Sequence, residues 1–254
     1  IFKVFQKKKK MIPKLIGKYF LNRFSKQFFD LKKFNAFSTF QDISLKEKCI
    51  IVDEEDNVLG SASKLDCHKI QSDGSLILHR AFSLFIFNSK GEILLQQRSP
   101  NKITFPHNIA NACCSHPLYE IEHERNEKNA VGVKLAAQRR MNIELGVPQD
   151  QTSLDDFHYI TRILYKSKDN IEWGEHELDY ILFLKKDLDI VPNPEEISNV
   201  KYVAQKDFDD YISNLKHPIS PWFKLCTEYF LHHWWKNLHN LDVIKDHSTI
   251  HRLY

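Results

Sequence analysis

Two short segments concentrate residues able to move protons. In NACCSHP, residues 111–117, Cys114 and His116 stand two apart, so in extended backbone they point to the same side. A thiol beside an imidazole can ionise, and a thiolate is an effective base or nucleophile. An isolated pair of cysteines is as a rule small apolar filler instead, and the flanking His116 and Pro117 weigh against that reading here. In WGEHELDY, residues 173–180, Glu175 and Glu177 are again two apart, just before the apolar run YILF. Two carboxylates on one face repel unless a cation, a proton or solvent relieves them. A pair of solvated surface glutamates fits the same spacing, while Trp173 and Gly174 just ahead favour a shaped site. His68, His79 and His116 with Glu175 and Glu177 make a set of nitrogens and carboxylates able to surround a divalent metal, although spacing alone does not single these out among 13 histidines.

A third segment, NAVGVKLAAQRRMNIELGVP, reads as a helix. Ala130, Val133, Ala137, Met141 and Leu145 share one face, and Gly146 and Pro148 stop it. Its end partly matches the Nudix box R-E-U-x-E-E-x-G-U, where U is aliphatic. Arg139, Met141, Glu144, Gly146 and Val147 fit, whereas Arg140 and Ile143 replace two glutamates, and Val131 and Arg125 stand where the box has Glu and Gly. Glutamates of that box hold the metals that activate water against a diphosphate. Keeping Glu144 and losing most of the others points to a scaffold that binds a diphosphate without cleaving it; a plain amphipathic helix gives the same letters. Cations for such an anion lie beside these motifs: Lys64 four before His68, Arg98 and Lys102 after a strand, and Arg140 on the helix. Taken singly, each is an ordinary surface charge.

The elements that must position these residues follow from patterning. KCIIVDEEDNVLGSASK reads as two short strands around an acidic turn, and RAFSLFIFNSKGEILLQQRS as a hairpin over the turn Asn88–Gly91. Residues 99–127, with Pro100, Pro106 and Pro117, read as loop; FHYITRILYKS, HELDYILFLK and the end of PEEISNVKYV read as strands; QKDFDDYISNLK and the aromatic SPWFKLCTEYFLHHWWKNL read as helices. Strands and helices interleave without a repeat or linker, which describes one α/β or α+β domain. Its 42% hydrophobic content excludes global disorder. The formal charge of +3 conceals two unlike parts. Residues 1–40 hold eleven basic side chains and one acid, a charge of +10, leaving 25 basic against 32 acidic residues, or −7, in the remainder. An acidic body argues against a domain that coats nucleic acid. The boundary expected from this is a basic extension over 1–45 and a folded domain over 46–254. The extension has the acid-poor, amphipathic character of an organelle-targeting segment and equally that of a solvated basic tail. Five cysteines without C-x-x-C signal neither a disulfide framework nor a zinc ribbon, and no apolar run reaches membrane-span length.

Taken in order, LHRAFSLFIFN, ILLQQRSPNKITFP, NACCSHPL, GVKLAAQRRMNIELGVP, WGEHELDYILF and SPWFKL closely resemble type I isopentenyl-diphosphate delta-isomerases of the eukaryotic kind, over about residues 48–240. The resemblance implies a Nudix-like mixed-sheet sandwich with flanking helices and an enzyme of isoprenoid biosynthesis that interconverts isopentenyl and dimethylallyl diphosphates. It implies Cys114 as the catalytic thiol and Glu177 as its partner carboxylate. His68, His79, His116, Glu175 and Glu177 are implied as ligands of a divalent metal, with Mg²⁺ the first expectation and Mn²⁺ or Zn²⁺ acceptable to the same donors. Glu144 is implied to help hold a second Mg²⁺ on the diphosphate. Lys64, Arg98, Lys102 and Ser115 are implied diphosphate contacts, and Tyr165 and Trp222 active-site aromatics.

The reaction needs an acid and a base on the two faces of an alkene, with a tertiary carbocation between the two proton transfers. Glu177, helped by Tyr165 and metal, is taken as the first donor and Cys114 as the group on the other face; the Trp222 ring steadies the cation. Within the match, His107 replaces a small or aliphatic residue, and Ala110 and Ala112 replace threonines. The competing readings are a Nudix hydrolase of a nucleoside diphosphate derivative, which the depleted box opposes, and a catalytically silent binding module, which the retained Cys, Glu and His residues oppose. Expected partners are a small diphosphate, no nucleic acid and no membrane span, with a monomer favoured. The expected location is the cytoplasm, or the mitochondrion through the basic head.

Overall fold

The structure is a computed structural model, and it describes residues 39–254. The basic head, with the targeting expectation attached to it, lies outside those residues. Helix α1 (Thr39–Ser44) is followed by strands β1 (Lys48–Val52) and β2 (Val58–Ser63), which pair antiparallel around the acidic turn. Five residues of helix, α2 (Lys64–His68), were not legible as such in the sequence. Ser63 caps α2, its hydroxyl accepting from Asp66 N at 3.1 Å. This single turn places Lys64 and His68 one above the other.

Strands β3 (His79–Phe87) and β4 (Ile93–Arg98) are the expected pair, but only Phe87 and Ile93 are in register, and the strands then diverge. β3 runs instead parallel to β8 (Gly174–Lys185) along its whole length, from His79 opposite Glu177 to Phe87 opposite Lys185. Nine fully buried residues explain the choice: an all-buried strand belongs in the middle of a sheet. The expected loop 99–127 contains two short strands, β5 (Ile109–Asn111) and β6 (Cys113–Ser115). β6 pairs antiparallel with β3, setting Cys114 opposite Ser83. Strand β7 (Phe157–Lys168) joins β8 in a long antiparallel hairpin, β9 (Ile197–Val203) pairs with β4, and the C-terminal β10 (Ile250–Leu253) pairs parallel with β7.

Alternate residues send the sheet's two faces into separate cores. Phe82, Leu84, Leu178, Tyr180 and Leu182 meet helix α3 (Val131–Leu145) through Val133, Ala136, Ala137 and Met141. Phe85, Phe87, Ile181 and Phe183 meet the aromatic segment formed by α4 (Phe208–Ser213), α5 (Pro221–Cys226) and α6 (His232–Lys236), through Phe223, Trp234 and Trp235. This is the mixed-sheet sandwich with flanking helices. Gly146 ends α3 in the left-handed conformation at φ +66, and a side chain there would meet Val191 O at 2.2 Å. Gly132 lets α3 start hard against the chain that carries Glu124, since a Cβ would lie 2.2 Å from Glu124 O.

Residues 39–45, assigned to the extension by composition, pack with the body. Gln41 is 2% exposed and donates to Glu195 O at 3.3 Å, and Ser44 accepts from Lys64 Nζ at 3.3 Å. A truncation removing residues 1–38 keeps these contacts and is the reference for urea unfolding. One removing residues 1–45 should lower stability by about 1–3 kcal/mol, the range for stripping hydrogen bonds and a buried polar side chain. Equal midpoints for the two truncations would place the boundary after residue 45.

Candidate active site

The parallel β3–β8 register sets His79 opposite Glu177, and the β7–β8 register sets Tyr165 opposite the same glutamate. His68 arrives from α2 and His116 from the residue after β6. The three imidazole centroids lie 4.9–5.0 Å apart, and one donor atom from each, with a Glu177 oxygen, falls within 4.8 Å of the others. His68 Nδ1 faces Lys64 O at 2.8 Å and His79 Nδ1 faces Ile77 O at 2.9 Å. Each Nδ1–H donates to a carbonyl, which turns the other ring nitrogen, free of hydrogen, toward the centre. His116 Nε2 is 2.9 Å from Glu177 Oε1. His79 Nε2 is 3.4 Å from that oxygen yet out of line for a hydrogen bond, leaving a buried polar atom aimed at the centre without a partner.

Burial, with the neighbouring rings, holds His68 well below the usual histidine range, and burial takes His116 down to about 3. Burial also disfavours charge on His79, but the adjoining Glu177 carboxylate outweighs it and raises that pKa to about 9. A pocket that draws a proton to His79 draws a cation, and a divalent metal displacing that proton would find three imidazoles and one carboxylate as donors.

Glu175 does not join these four donors. Its Oε1 accepts from Thr104 Oγ1 at 3.0 Å and its Oε2 lies 2.9 Å from Tyr165 Oη, which is 2.5 Å from Glu177 Oε2. A phenol has one proton, so it donates to one carboxylate and accepts from the other. Burial and the Glu177 charge raise Glu175 to about 7. Burial opposes ionisation of Glu177 too, but hydrogen bonding to His116 and the nearness of His79 hold it well below the carboxylate range. The chain of protons therefore runs from Glu175 through Tyr165 to an ionised Glu177.

Cys114 sits on the same sheet face. Its Sγ–H donates to Asn111 Oδ1 at 3.0 Å, and Trp222 Nε1 donates to that oxygen at 3.0 Å while also lying 3.0 Å from the sulfur. Asn111 Nδ2 is fixed by Leu84 O at 3.1 Å, so this amide orients thiol and indole together. The expectation that an imidazole ionises the thiol is not met, because His116 turns its Nε2 to Glu177. Burial, reinforced by the Asp179 carboxyl, pushes the Cys114 thiol well up. The two groups are thus shifted in opposite senses, the thiol upward and Glu177 downward. Asp179, two beyond Glu177, is 1% exposed and accepts from Ser83 Oγ at 2.7 Å; burial, with the Glu177 charge nearby, pushes its carboxyl well above the usual carboxylate range. All five cysteines are free.

The cations line the same cleft, which Lys64, Arg98, Lys102 and Ser115 share with Cys114, His116, Glu175, Glu177 and Trp222. Arg98 is already engaged, donating to Phe105 O at 3.0 Å and Thr104 O at 2.7 Å, and its guanidinium lies 5.2 Å over the Trp222 ring. One face of that indole is therefore occupied by a cation of the protein itself. Burial, with Lys102 and Arg140 nearby, pushes Lys64 down. Glu144 is not among the residues lining this cleft; Arg140 holds its Oε1 at 2.8 Å within α3. Arg139 instead ties Glu124 at 2.6 Å and His116 O at 3.2 Å, anchoring a ring of the His/Glu cluster. Ala110 and Ala112 are fully buried, and His107, at φ +66, stacks on His217 away from the cleft. Sequence reasoning missed Asn111, Thr104, Ser83, Asp179 and Glu196. The only available signal was alternation along β8, which puts Asp179 on the face of Glu175 and Glu177.

Residues 77–223 match the NUDIX domain, which defines the class of this fold and cleft. The crystal structure of DR0079 from Deinococcus radiodurans aligns at a TM-score of 0.50 and 18% identity, covering 73% of this chain and 100% of that one, a likeness of fold alone. Isopentenyl-diphosphate Delta-isomerase 1 of Mesocricetus auratus is 45% identical over 212 residues, covering 82% of this chain and 93% of the relative. Isopentenyl-diphosphate Delta-isomerase of Dictyostelium discoideum is 43% identical over 230 residues, covering 88% and 96%. The chain belongs to the isopentenyl-diphosphate Delta-isomerase family of NUDIX-domain proteins.

Raising Glu175 from 4.5 to about 7 means that the folded state keeps a proton the unfolded chain has lost. The stability this contributes is fully present below about 4.5 and is lost as pH rises through about 7. Glu175→Gln removes that titration. In metal-stripped protein, Tm of the wild type should fall relative to the variant across this window; parallel curves would mean that Glu175 does not hold the proton.

Proposed function

We propose that this protein is an isopentenyl-diphosphate delta-isomerase, an intramolecular isomerase that moves a carbon–carbon double bond in a small diphosphate. One observation carries the reading: a single cleft is lined by a protonated thiol, a carboxylate with histidines, and a group of cations. Alkene isomerisation through a carbocation needs one group that gives a proton and one that takes it, held near each other and away from water. Cys114 holds a proton at rest and Glu177 is ionised, so in one direction Cys114 Sγ donates and Glu177 Oε2 accepts, and in the other they exchange roles. Tyr165 links Glu177 to Glu175 and lets that proton be shared away from the reacting carbon.

The Trp222 face not covered by Arg98 supports the cationic centre without a nucleophile that would trap it. Lys64, Lys102 and the Ser115 side of β6 receive the diphosphate, and Arg98 adds charge while it shapes the loop through Thr104 and Phe105. His68, His79, His116 and Glu177 hold a divalent ion. Three imidazoles and one carboxylate favour Zn²⁺ or Mn²⁺ there, while Mg²⁺, which prefers oxygen, suits the diphosphate end. When bound, the ion supplies a fixed positive charge that keeps Glu177 ionised and oriented.

Among the described residues no helix is long and apolar enough to cross a membrane. Purified protein with isopentenyl diphosphate and Mg²⁺ should form dimethylallyl diphosphate without releasing phosphate. Cys114→Ala and Glu177→Gln should each lower the rate by about 10²–10⁴-fold, the range for removing a general acid or base. Absence of the isomer, or phosphate release, would overturn the reading. Metal analysis of His79→Ala should show loss of the ion from the His/Glu centre.

A further inference from the structure

Glu196 belongs to none of the motifs, yet it joins three distant parts of the chain. It lies in the turn before β9, is 2% exposed, and its carboxylate accepts from Lys102 Nζ and, at 3.1 Å, from Arg140 Nη2. Lys102 is in the loop after β4, and Arg140 is on α3. The backbone repeats the connection: Ser99 N donates to Glu196 O at 2.9 Å, and Asn193 N donates to Glu144 O at 2.9 Å. Burial works against this carboxylate, but Lys102, Arg140 and Lys64 hold it ionised, far below the usual range.

A lysine ammonium on a four-carbon stem is strongly hydrated and mobile. Among the described residues Lys102 forms its ion pair with Glu196, while Lys64 and Arg140 stand close enough to repel it and Arg140 is already paired with Glu144 at 2.8 Å. Lys102 is nonetheless buried, its side chain 8% exposed. Lys64, Lys102 and Arg140 crowd around Glu144 and Glu196, and Lys102 lines the cleft while Glu196 stands behind it. An ammonium has three hydrogens, so one bond to Glu196 leaves two for a ligand.

We propose that Glu196 is a positioning residue that holds the Lys102 ammonium in the wall of the cleft, ready to bind the diphosphate end of the substrate. The proposal rests on the reading of the cationic end as the diphosphate site. Without Glu196, Lys102 swings toward solvent under repulsion from its neighbours, and binding must then order a long side chain. That cost weakens affinity by about three- to tenfold. The effect falls on diphosphate binding and not on proton transfer, because Glu196 touches neither Cys114 nor the His/Glu centre.

The test is calorimetric titration of the metal-loaded protein with inorganic diphosphate and Mg²⁺, paired with steady-state kinetics, for Glu196→Gln, Glu196→Asp, Lys102→Met and the Glu196→Gln/Lys102→Met double variant. Glu196→Gln should raise Kd and KM about three- to tenfold with kcat within about twofold of wild type. Glu196→Asp, which keeps the charge, should recover part of the loss, and it carries the test alone if Glu196→Gln does not fold. In the Lys102→Met background the Glu196 change should cost nothing more. Unchanged or tighter diphosphate binding by Glu196→Gln, or losses that add in the double variant, would overturn the proposal while a weakened Lys102→Met leaves the cleft reading intact. Wild-type binding by Lys102→Met would instead remove the diphosphate reading itself.

Discussion

Glu177 is a buried carboxylate that stays charged, and the architecture around the cleft follows from that. Taking such a charge out of water costs on the order of several kcal/mol unless it is paired and hydrogen-bonded. Here the partners are three histidines from three separate segments and a tyrosine from the neighbouring strand. His79 could not reach Glu177 unless β3 ran parallel to β8 in the observed register, as Tyr165 could not without the β7–β8 pairing, and a slip of one residue would turn His79 to the other face of the sheet. The parallel pairing, stabilised by the apolar residues of both strands, is thus also what assembles the polar site.

The same economy of contacts organises the cleft's other surfaces. Asn111 orients Cys114 and Trp222 with one amide, Arg139 anchors the backbone of His116 from the box helix, and Arg98 holds the loop that carries Thr104 to Glu175. Each of these groups is hydrogen-bonded and buried or partly buried, so rotamer freedom is reduced before a substrate arrives. The box helix shows the change of use most directly. In a hydrolase its acids would gather metal for water activation. Here Arg140 occupies one acid position, neutralises the remaining Glu144 and shares Glu196, which turns a metal-gathering helix into support for a cationic wall.

Much of the fold was legible because it is written in local periodicity. The faces of α3, the long strands β7 and β8, and the aromatic C-terminal helices all follow from apolar spacing, and buried Ala137, Met141, Phe183 and Trp235 bear that out. The short elements α2, β5 and β6 were not legible, since three to five residues carry too little pattern and exist through tertiary pairing. Of the chemistry, the sequence by itself determined the residue types: Cys114, Glu175, Glu177 and the histidines stand in motifs whose order along the chain identifies the family.

Only the tertiary structure decided how those types are used. It set Glu175 apart from the cluster of His68, His79, His116 and Glu177 and placed it against Tyr165 and Thr104. It pushed the Cys114 thiol up, paired Glu144 with Arg140, and recruited Asn111, Asp179 and Glu196, whose types and spacing had not singled them out. The physical reason is that protonation and coordination depend on distance and burial. Two carboxylates with the same side-chain chemistry, two residues apart on one strand, are shifted in opposite directions: burial and its neighbour's charge push Glu175 up, whereas the imidazoles hold Glu177 down. Sequence spacing sets which face they share; the neighbours delivered from other strands set what each one does.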